Sequence, residues 1–190
     1  DKGIYMEMRP VELTRIAKSV AEALEIKAQR YEMRIETDLP EPLWTRGVEE
    51  RLRQVLVNLV DNAVKYGDSH SSILISGSRR KGYVWMFVRN QGKGLTAKEQ
   101  ERIFEPFYRV DKARSREQGS AGLGLSICKK IMDEHQGLIG VKNKDNARTT
   151  FYIRLKEERD GNDDTLETSG PEEPKAKKNP QLRRIQRHNI

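Results

Sequence analysis

Asn58, Asn62 and Lys65 recur at helical spacing within residues 51–66, RLRQVLVNLVDNAVKY. At roughly 100° per residue, two carboxamides and an ammonium fall along one stripe of a helix. Carboxamide oxygens suit an oxygen-seeking cation such as magnesium, and a lysine suits phosphates that accompany it. A plain amphipathic surface helix would more often carry Glu and Lys there. Asn is a mediocre helix former, because its side chain competes for backbone hydrogen bonds. Taken alone, this helix also fits a second reading, in which the two Asn cap neighbouring loops.

Two glycine-rich stretches offer related chemistry. Asn90-Gln91-Gly92-Lys93-Gly94-Leu95 breaks all periodicity directly after a strand pattern. Glycine there lets backbone approach a ligand closely, though a turn at the exit of a hairpin has the same signature. Gly119-Ser120-Ala121-Gly122-Leu123-Gly124-Leu125-Ser126-Ile127 opens a helix. Unpaired N–H groups at a positive helix end form a natural phosphate site; a flexible helix start is the alternative. The stretch lacks the closing lysine and hydroxyl residue of a Walker loop.

Positioning these groups requires a set of elements that periodicity outlines. A helix is predicted over 10–30, with Pro10 in its first turn and Val11, Leu13, Ile16, Ala17, Val20, Leu24 and Ala28 on one face. Residues 31–38 alternate and predict a strand, stopped by Leu39-Pro40-Glu41-Pro42. The asparagine-bearing helix spans about 48–66, buries Val48, Leu52, Val55, Leu56, Leu59 and Ala63, and ends near Gly67. Residues 72–79 and 83–89 form a hairpin turned by Lys81-Gly82. Thr96 with Glu99 caps a short helix over 97–103. Aromatic-rich residues 104–110 follow, then a charged loop over 111–118. A helix to about residue 136 and strands over 138–144 and 149–156, joined by Asp145-Asn146, complete the order. Helices with mostly antiparallel strands give an α+β fold, a two-layer sandwich with helices on one sheet face. Residues 1–158 read as one domain; 159–190, rich in charged residues, Pro and Gly, read as a polar, flexible tail with a basic end.

The chain has 190 residues, enough for one domain with a real core. It is 35% hydrophobic, 34% charged and carries a net charge of +7. That balance suits nucleic acid, a membrane surface or phosphorylated ligands. Cys128 is the one cysteine, so no disulfide forms within the chain, which fits a reducing, cytoplasmic setting. No apolar run approaches a membrane span and no signal peptide opens the chain. A start at Asp1 rather than Met is expected of a fragment or a processed product.

Four stretches then coincide. Asn58-x-x-x-Asn62-x-x-Lys65-Tyr66, Asn90-Gln-Gly92-Lys-Gly94, Phe104-Glu-Pro-Phe-Tyr-Arg109 and Gly122-Leu-Gly124-Leu-Ser-Ile127 stand in this order. They closely resemble the N box, first glycine box, F box and second glycine box of sensor histidine kinases. Each box is modest alone; four in order are highly specific, and the resemblance spans about residues 11–156. It implies the catalytic, ATP-binding domain of such a kinase. Its Bergerat ATP-binding fold has a mixed, mostly antiparallel sheet covered on one face by helices. The gyrase B subunit, the heat-shock chaperone of that class and MutL share it.

By this resemblance Asn58 and Asn62 hold the magnesium that bridges the phosphates of ATP, Lys65 neutralises phosphate charge, and Tyr66 packs near the nucleotide. Gly92 and Gly94 let the chain pass close to adenine. Arg109, with Arg114 or Arg116, sits at a lid within reach of the γ-phosphate, and Gly122, Leu123 and Gly124 open the lid helix over ATP. Arg114 and Arg116 also fit a solvated charged loop. Asn58, Lys65 and Arg109 are the catalytic set, since phosphoryl transfer is catalysed chiefly by positioning and charge neutralisation. Hydrolysing relatives carry a Glu general base where this chain has Asn58. A carboxamide cannot take a proton at neutral pH, so ATP is expected to be held without fast hydrolysis, its γ-phosphate left for an incoming histidine.

This sequence departs from the family twice. Asn90 replaces the usual Asp that accepts a hydrogen bond from the adenine amine; its amide can flip toward guanine, so ATP-over-GTP discrimination is expected to weaken. Asn146-Ala147-Arg148-Thr149 lacks the usual glycines, and a different turn is expected there. The phosphoacceptor, a His followed by an acidic residue on a dimerising helical hairpin, is missing: His70, His135 and His188 lack that context. His135, often His in the family, is read as local packing or capping. Three scattered His and one Cys make no metal site of their own. The implied partners are ATP, the parent's dimerisation and phosphoacceptor domain and, indirectly, a response regulator. The parent would be a two-component sensor, cytoplasmic in this part and often membrane-anchored elsewhere. The isolated chain is expected to be a monomer. One rival is a degenerate nucleotide-binding scaffold, supported by Asn90. Another is a nucleic-acid-binding protein, but the basic segment 175–187 lacks interleaved aromatics, so no nucleic acid is expected.

Overall fold

The computed structural model describes residues 7–110, 124–144 and 147–158. In chain order they form β1 (Arg9–Glu12), α1 (Leu13–Arg30), β2 (Arg34–Asp38), β3 (Trp44–Gly47) and α2 (Glu49–Tyr66). There follow β4 (Ser72–Arg80), β5 (Tyr83–Gln91), α3 (Ala97–Arg102), α4 (Gly124–Glu134), β6 (Leu138–Lys144) and β7 (Arg148–Lys156). Five strands make one sheet in the order β2-β4-β5-β7-β6. β2 runs parallel to β4, and every other neighbouring pair is antiparallel. This is the expected two-layer α+β sandwich.

Strand alternation sorts the sheet into two faces. Ile73, Ile75, Val84, Met86, Val88, Phe151, Ile153 and Leu155 point into one core with the apolar stripes of α1, α2 and α4. Leu52, Leu56 and Leu59 of α2 are almost fully buried. Each contributes about 1.5–3 kcal/mol by leaving water. With that stripe pinned to the sheet, the stripe of Asn58, Asn62 and Lys65 is held half-buried at the layer's edge.

The amino-terminal part differs from the sequence expectation. Pro10 lies not in a helix but in β1, paired antiparallel with β3 at Pro10↔Arg46 and Val11↔Thr45. Proline tolerates an edge strand as readily as a first helical turn. β3 was missed altogether, because its four residues are too short to show alternation. The strand expected from residue 31 begins at Arg34; Tyr31 caps α1, and Glu32 takes φ 57°.

Two local devices fix α2. Its first turn has no side-chain cap of its own. Instead the Val48 N–H donates to Nε2 of His135 at 3.0 Å, while Nδ1 of the same ring donates to the Ile131 carbonyl at 2.7 Å. The capping role expected of His135 is thus its observed one. Gly67 ends the helix, but with φ −74°, so no left-handed turn is involved. A Cβ there would fall 2.2 Å from Cε of buried Met33, so close packing is what excludes a side chain. The β4–β5 hairpin turns at Lys81 and Gly82, both with positive φ, as a two-residue turn requires. Thr96 and Glu99 form the expected capping box on α3.

Candidate functional site

A cleft of about 230 Å³ opens where α2, the ends of β5 and β7, and the start of α4 meet. Helix α2 lends it Asn58, Asp61, Asn62, Lys65 and Tyr66; β5 lends Asn90; β7 lends Thr149 and Phe151. Lys93, Gly94 and Leu95 follow β5 along its rim, with Ile103, Tyr108, Arg109 and Val110, and with Gly124 and Leu125 at the start of α4. Eight of the twelve residues expected for nucleotide therefore converge: Asn58, Asn62, Lys65, Tyr66, Asn90, Gly94, Arg109 and Gly124. Arg114, Gly122 and Leu123 lie outside the described residues, as do Arg116, His188, Asn146 and the whole of 159–190.

Gly92 stands one step back from the lining. Its φ is +152°, and a Cβ would fall 2.7 Å from the Tyr66 carbonyl. Its close approach is to the end of α2, which seats Tyr66 against the β5 exit. Asn58 donates from Nδ2 to the Gly124 carbonyl at 3.3 Å, joining α2 to the start of α4. Its oxygen is thereby left as the group for a ligand. Asn90, buried among β5 and β7, donates from Nδ2 to the Gln91 carbonyl at 3.1 Å. That bond likewise leaves its oxygen as the acceptor.

Two polar groups escaped the sequence reading. Asp61 accepts from Lys65 at 3.0 Å and from Lys27 of α1. Burial works to raise its carboxyl, but the hydrogen bonds and charges of Lys27 and Lys65 outweigh burial and hold it below the ordinary value. The signal was present: Asp61 and Lys65 sit four apart on one helix, an ion-pair spacing. Thr149 is the residue directly opposite Asn90 across the β5–β7 ladder. It is buried, with Oγ1 donating to Oδ1 of Asn143 at 3.4 Å.

The aromatic box supplies a wall. Phe104 meets Phe151, a lining residue, edge-on at 6.2 Å between ring centres. The Arg102 guanidinium lies 4.5 Å from the centre of the Tyr108 ring. Gln100 and Asn143 both donate to the Leu95 carbonyl, pinning the loop after β5. Among the described residues, Lys65, Lys93 and Arg109 place three cations around the cleft and Asp61 one carboxylate. The arrangement can take a planar base against Phe151, Ile103 and Leu125 and an anionic chain toward α2.

Residues 47–159 match the family described as histidine kinase-, DNA gyrase B- and HSP90-like ATPase. The chain belongs to that family. Within this ATPase family it is similar to the sensor histidine kinase YkoH of Bacillus subtilis, 37% identical over 160 residues, which are 84% of the chain and 34% of YkoH. The sensor-like histidine kinase SenX3 of Mycobacterium tuberculosis is 36% identical over 148 residues, 78% of the chain and 36% of SenX3. The chain thus spans about a third of the length of these curated relatives. Among solved structures, the catalytic domain of the histidine kinase ThkA superposes with a TM-score of 0.71 at 30% identity, over 80% of the chain and 97% of that domain. The ATPase-family domain described here is therefore of the histidine-kinase catalytic type. Asn58, Asn62, Lys65 and Tyr66 lie on α2, Gly92 and Gly94 follow β5, and residues 124–127 open α4.

Proposed function

We propose that the cleft binds ATP with magnesium and presents the γ-phosphate to a histidine on a separate dimerisation and phosphoacceptor domain. The observation that carries this reading is the convergence of Asn58, Asn62 and Lys65 from one helix with Asn90, Gly94 and Arg109 on a single cleft. The donor set fits magnesium: two neutral carboxamide oxygens one turn apart suit an ion that keeps waters and is held partly by phosphates. Asn58 and Asn62 would hold it, and once bound it would neutralise charge on the phosphates. Lys65 and Arg109 add positive charge, and Asn90 with Thr149 would orient the base. Asn58 offers no general base for water, which favours keeping the γ-phosphate for transfer.

Residues 1–158 are the domain that does this, and the catalytic set is Asn58, Lys65 and Arg109. The partners are the parent's phosphoacceptor domain and, through it, a response regulator; the structure of ThkA with the response regulator TrrA, similar at TM-score 0.68 and 28% identity, supports that setting. A cytoplasmic location follows from the need for ATP. Calorimetry with magnesium-ATP, followed by transfer of labelled phosphate to a separately purified histidine domain, tests the reading. Binding with transfer is expected. Binding without transfer would instead favour a non-catalytic nucleotide-binding module, the alternative that Asn90 supports. No binding at all would overturn both.

A further inference from the structure

The sheet face turned away from the helices has a composition that nucleotide chemistry does not use. By register, β5 places Tyr83, Trp85, Phe87 and Arg89 on it, and β7 places Arg148, Tyr152 and Arg154 beside them. Trp85 and Phe87 stack at 6.2 Å with planes 6° apart, and Tyr152 lies 6.0 Å from Trp85 and 6.5 Å from Phe87. The Arg154 guanidinium sits 4.4 Å from the Tyr83 ring centre, and the Lys142 ammonium 5.8 Å from that of Phe87. Phe87 is only 3% exposed yet belongs to a cluster separate from the core beneath the helices. On β4 the paired positions are small, Ser76 opposite Phe87 and Ser78 opposite Trp85.

The charge on this face is one-sided. Arg89, Lys142, Lys144, Arg148, Arg154 and Lys156 all project from it on β5, β6 and β7, whereas its carboxylates, Glu36 and Asp38, are confined to the edge strand β2. Immediately after β7 the sequence turns acidic. Residues 160–173 contain Asp160, Asp163, Asp164, Glu167, Glu172 and Glu173, with no Lys or Arg among them and one large apolar residue, Leu166. We propose that this acidic segment docks intramolecularly across the aromatic, basic face of the sheet.

Reach and tethering favour it over a separate partner. From Tyr83 to Gln91 the face is about 27 Å long at about 3.4 Å per residue. Fourteen extended residues span up to about 45 Å. A short tether gives an effective concentration of about millimolar, so weak individual contacts suffice. Carboxylates would lie among the cations of β6 and β7, and Leu166 would meet the ridge of Trp85 and Tyr152.

The test uses the full chain with a nitroxide attached at Ser169→Cys. Cys128, the one native thiol, is fully buried, with its thiol pushed up to about 11 by burial, so labelling is confined to residue 169. Amide signals of residues 88–90 and 142–144 are expected to lose more than half their intensity at low salt, while those of α1 keep theirs. Raising salt from about 0.1 M to about 1 M shortens screening from about 10 Å to about 3 Å and should restore the signals. A labelled chain also carrying Asp163→Asn, Asp164→Asn, Glu167→Gln, Glu172→Gln and Glu173→Gln should show no such loss. Equal loss on α1 and on the sheet, or a loss indifferent to both salt and neutralisation, overturns the proposal. So does an oligothymidylate that shifts these same amides while the label leaves them untouched; the face would then be a nucleic-acid surface.

Discussion

The Lys65 ammonium lies 3.0 Å from Oδ2 of Asp61, one helical turn back, and Lys27 closes on the same carboxylate from α1. Asp61 therefore holds Lys65 at the cleft and fastens α1 to α2. Because the paired lysines keep its carboxyl below the ordinary value, it stabilises the fold above the unfolded value of about pH 4. That stabilisation is lost as pH falls through the lower, folded value. Asp61→Asn is expected to destabilise by about 1 kcal/mol at neutral pH, the groups being partly solvated. Thermal melts should show a Tm lower by about 2–4 °C at pH 7. The two proteins should converge once the pH lies below the folded value, where the Asp61 carboxyl is protonated. A gap that stays constant across this range would contradict the linkage.

Asn62 and Asn58 face the cleft but differ in what else they do. Asn58 also ties α2 to the Gly124 carbonyl. Asn62→Ala is therefore expected to weaken magnesium-ATP binding at least about tenfold, near 1.4 kcal/mol, with little change in Tm. Asn58→Ala should weaken binding comparably and also raise amide exchange at the start of α4. The discriminating measurement is calorimetry with and without magnesium. If both variants lose affinity equally for metal-free ATP, their proposed role as metal ligands is wrong.

Legibility in the sequence followed contact range. Helix α2 could be read outright, because one unbroken 3.6-residue pattern carries both its buried stripe and its polar one. The β4–β5 hairpin announced itself through Lys81-Gly82. By contrast β1 and β3 are held by pairing with each other across more than thirty residues, and four-residue strands have no periodicity to read. Thr149 joins the cleft through its register against Asn90, which depends on how β5 meets β7. The position of Gly92 against Tyr66 depends likewise on tertiary packing, so its glycine signal was visible while its contact was not.

His135 is a cross-strap between the end of α4 and the start of α2. Its ring accepts from Val48 and donates to Ile131, and a Cβ on Gly47 would fall 2.9 Å from its Cδ2. His135→Ala leaves the Val48 N–H without its acceptor and opens a gap beside Leu52. A loss of about 1–3 kcal/mol is expected from the unpaired donor. Chemical denaturation should show a lower midpoint with an unchanged slope. Phosphotransfer at a temperature where the variant is folded should be retained, because its hydrogen-bond partners Val48 and Ile131 are not among the described residues lining the cleft; abolished transfer by folded protein would assign His135 a chemical role.

Asn90 decides which base the cleft prefers. Its Nδ2 is engaged by the Gln91 carbonyl at 3.1 Å, which presents the oxygen to an adenine amine. Serving guanine requires the amide to turn over and give up that bond, a net cost of about 1 kcal/mol. ATP should therefore be favoured over GTP by only several-fold. In Asn90→Asp the carboxylate accepts from adenine and repels the guanine oxygen in either orientation. Competition binding is expected to show the ATP preference rising about tenfold or more, by at least about 1.4 kcal/mol. The fold should tolerate the change, since Asn90 borders the cleft, and a melt within a few degrees of the parent would confirm that. An unchanged nucleotide preference in a folded Asn90→Asp protein would falsify the assignment of this residue to the base.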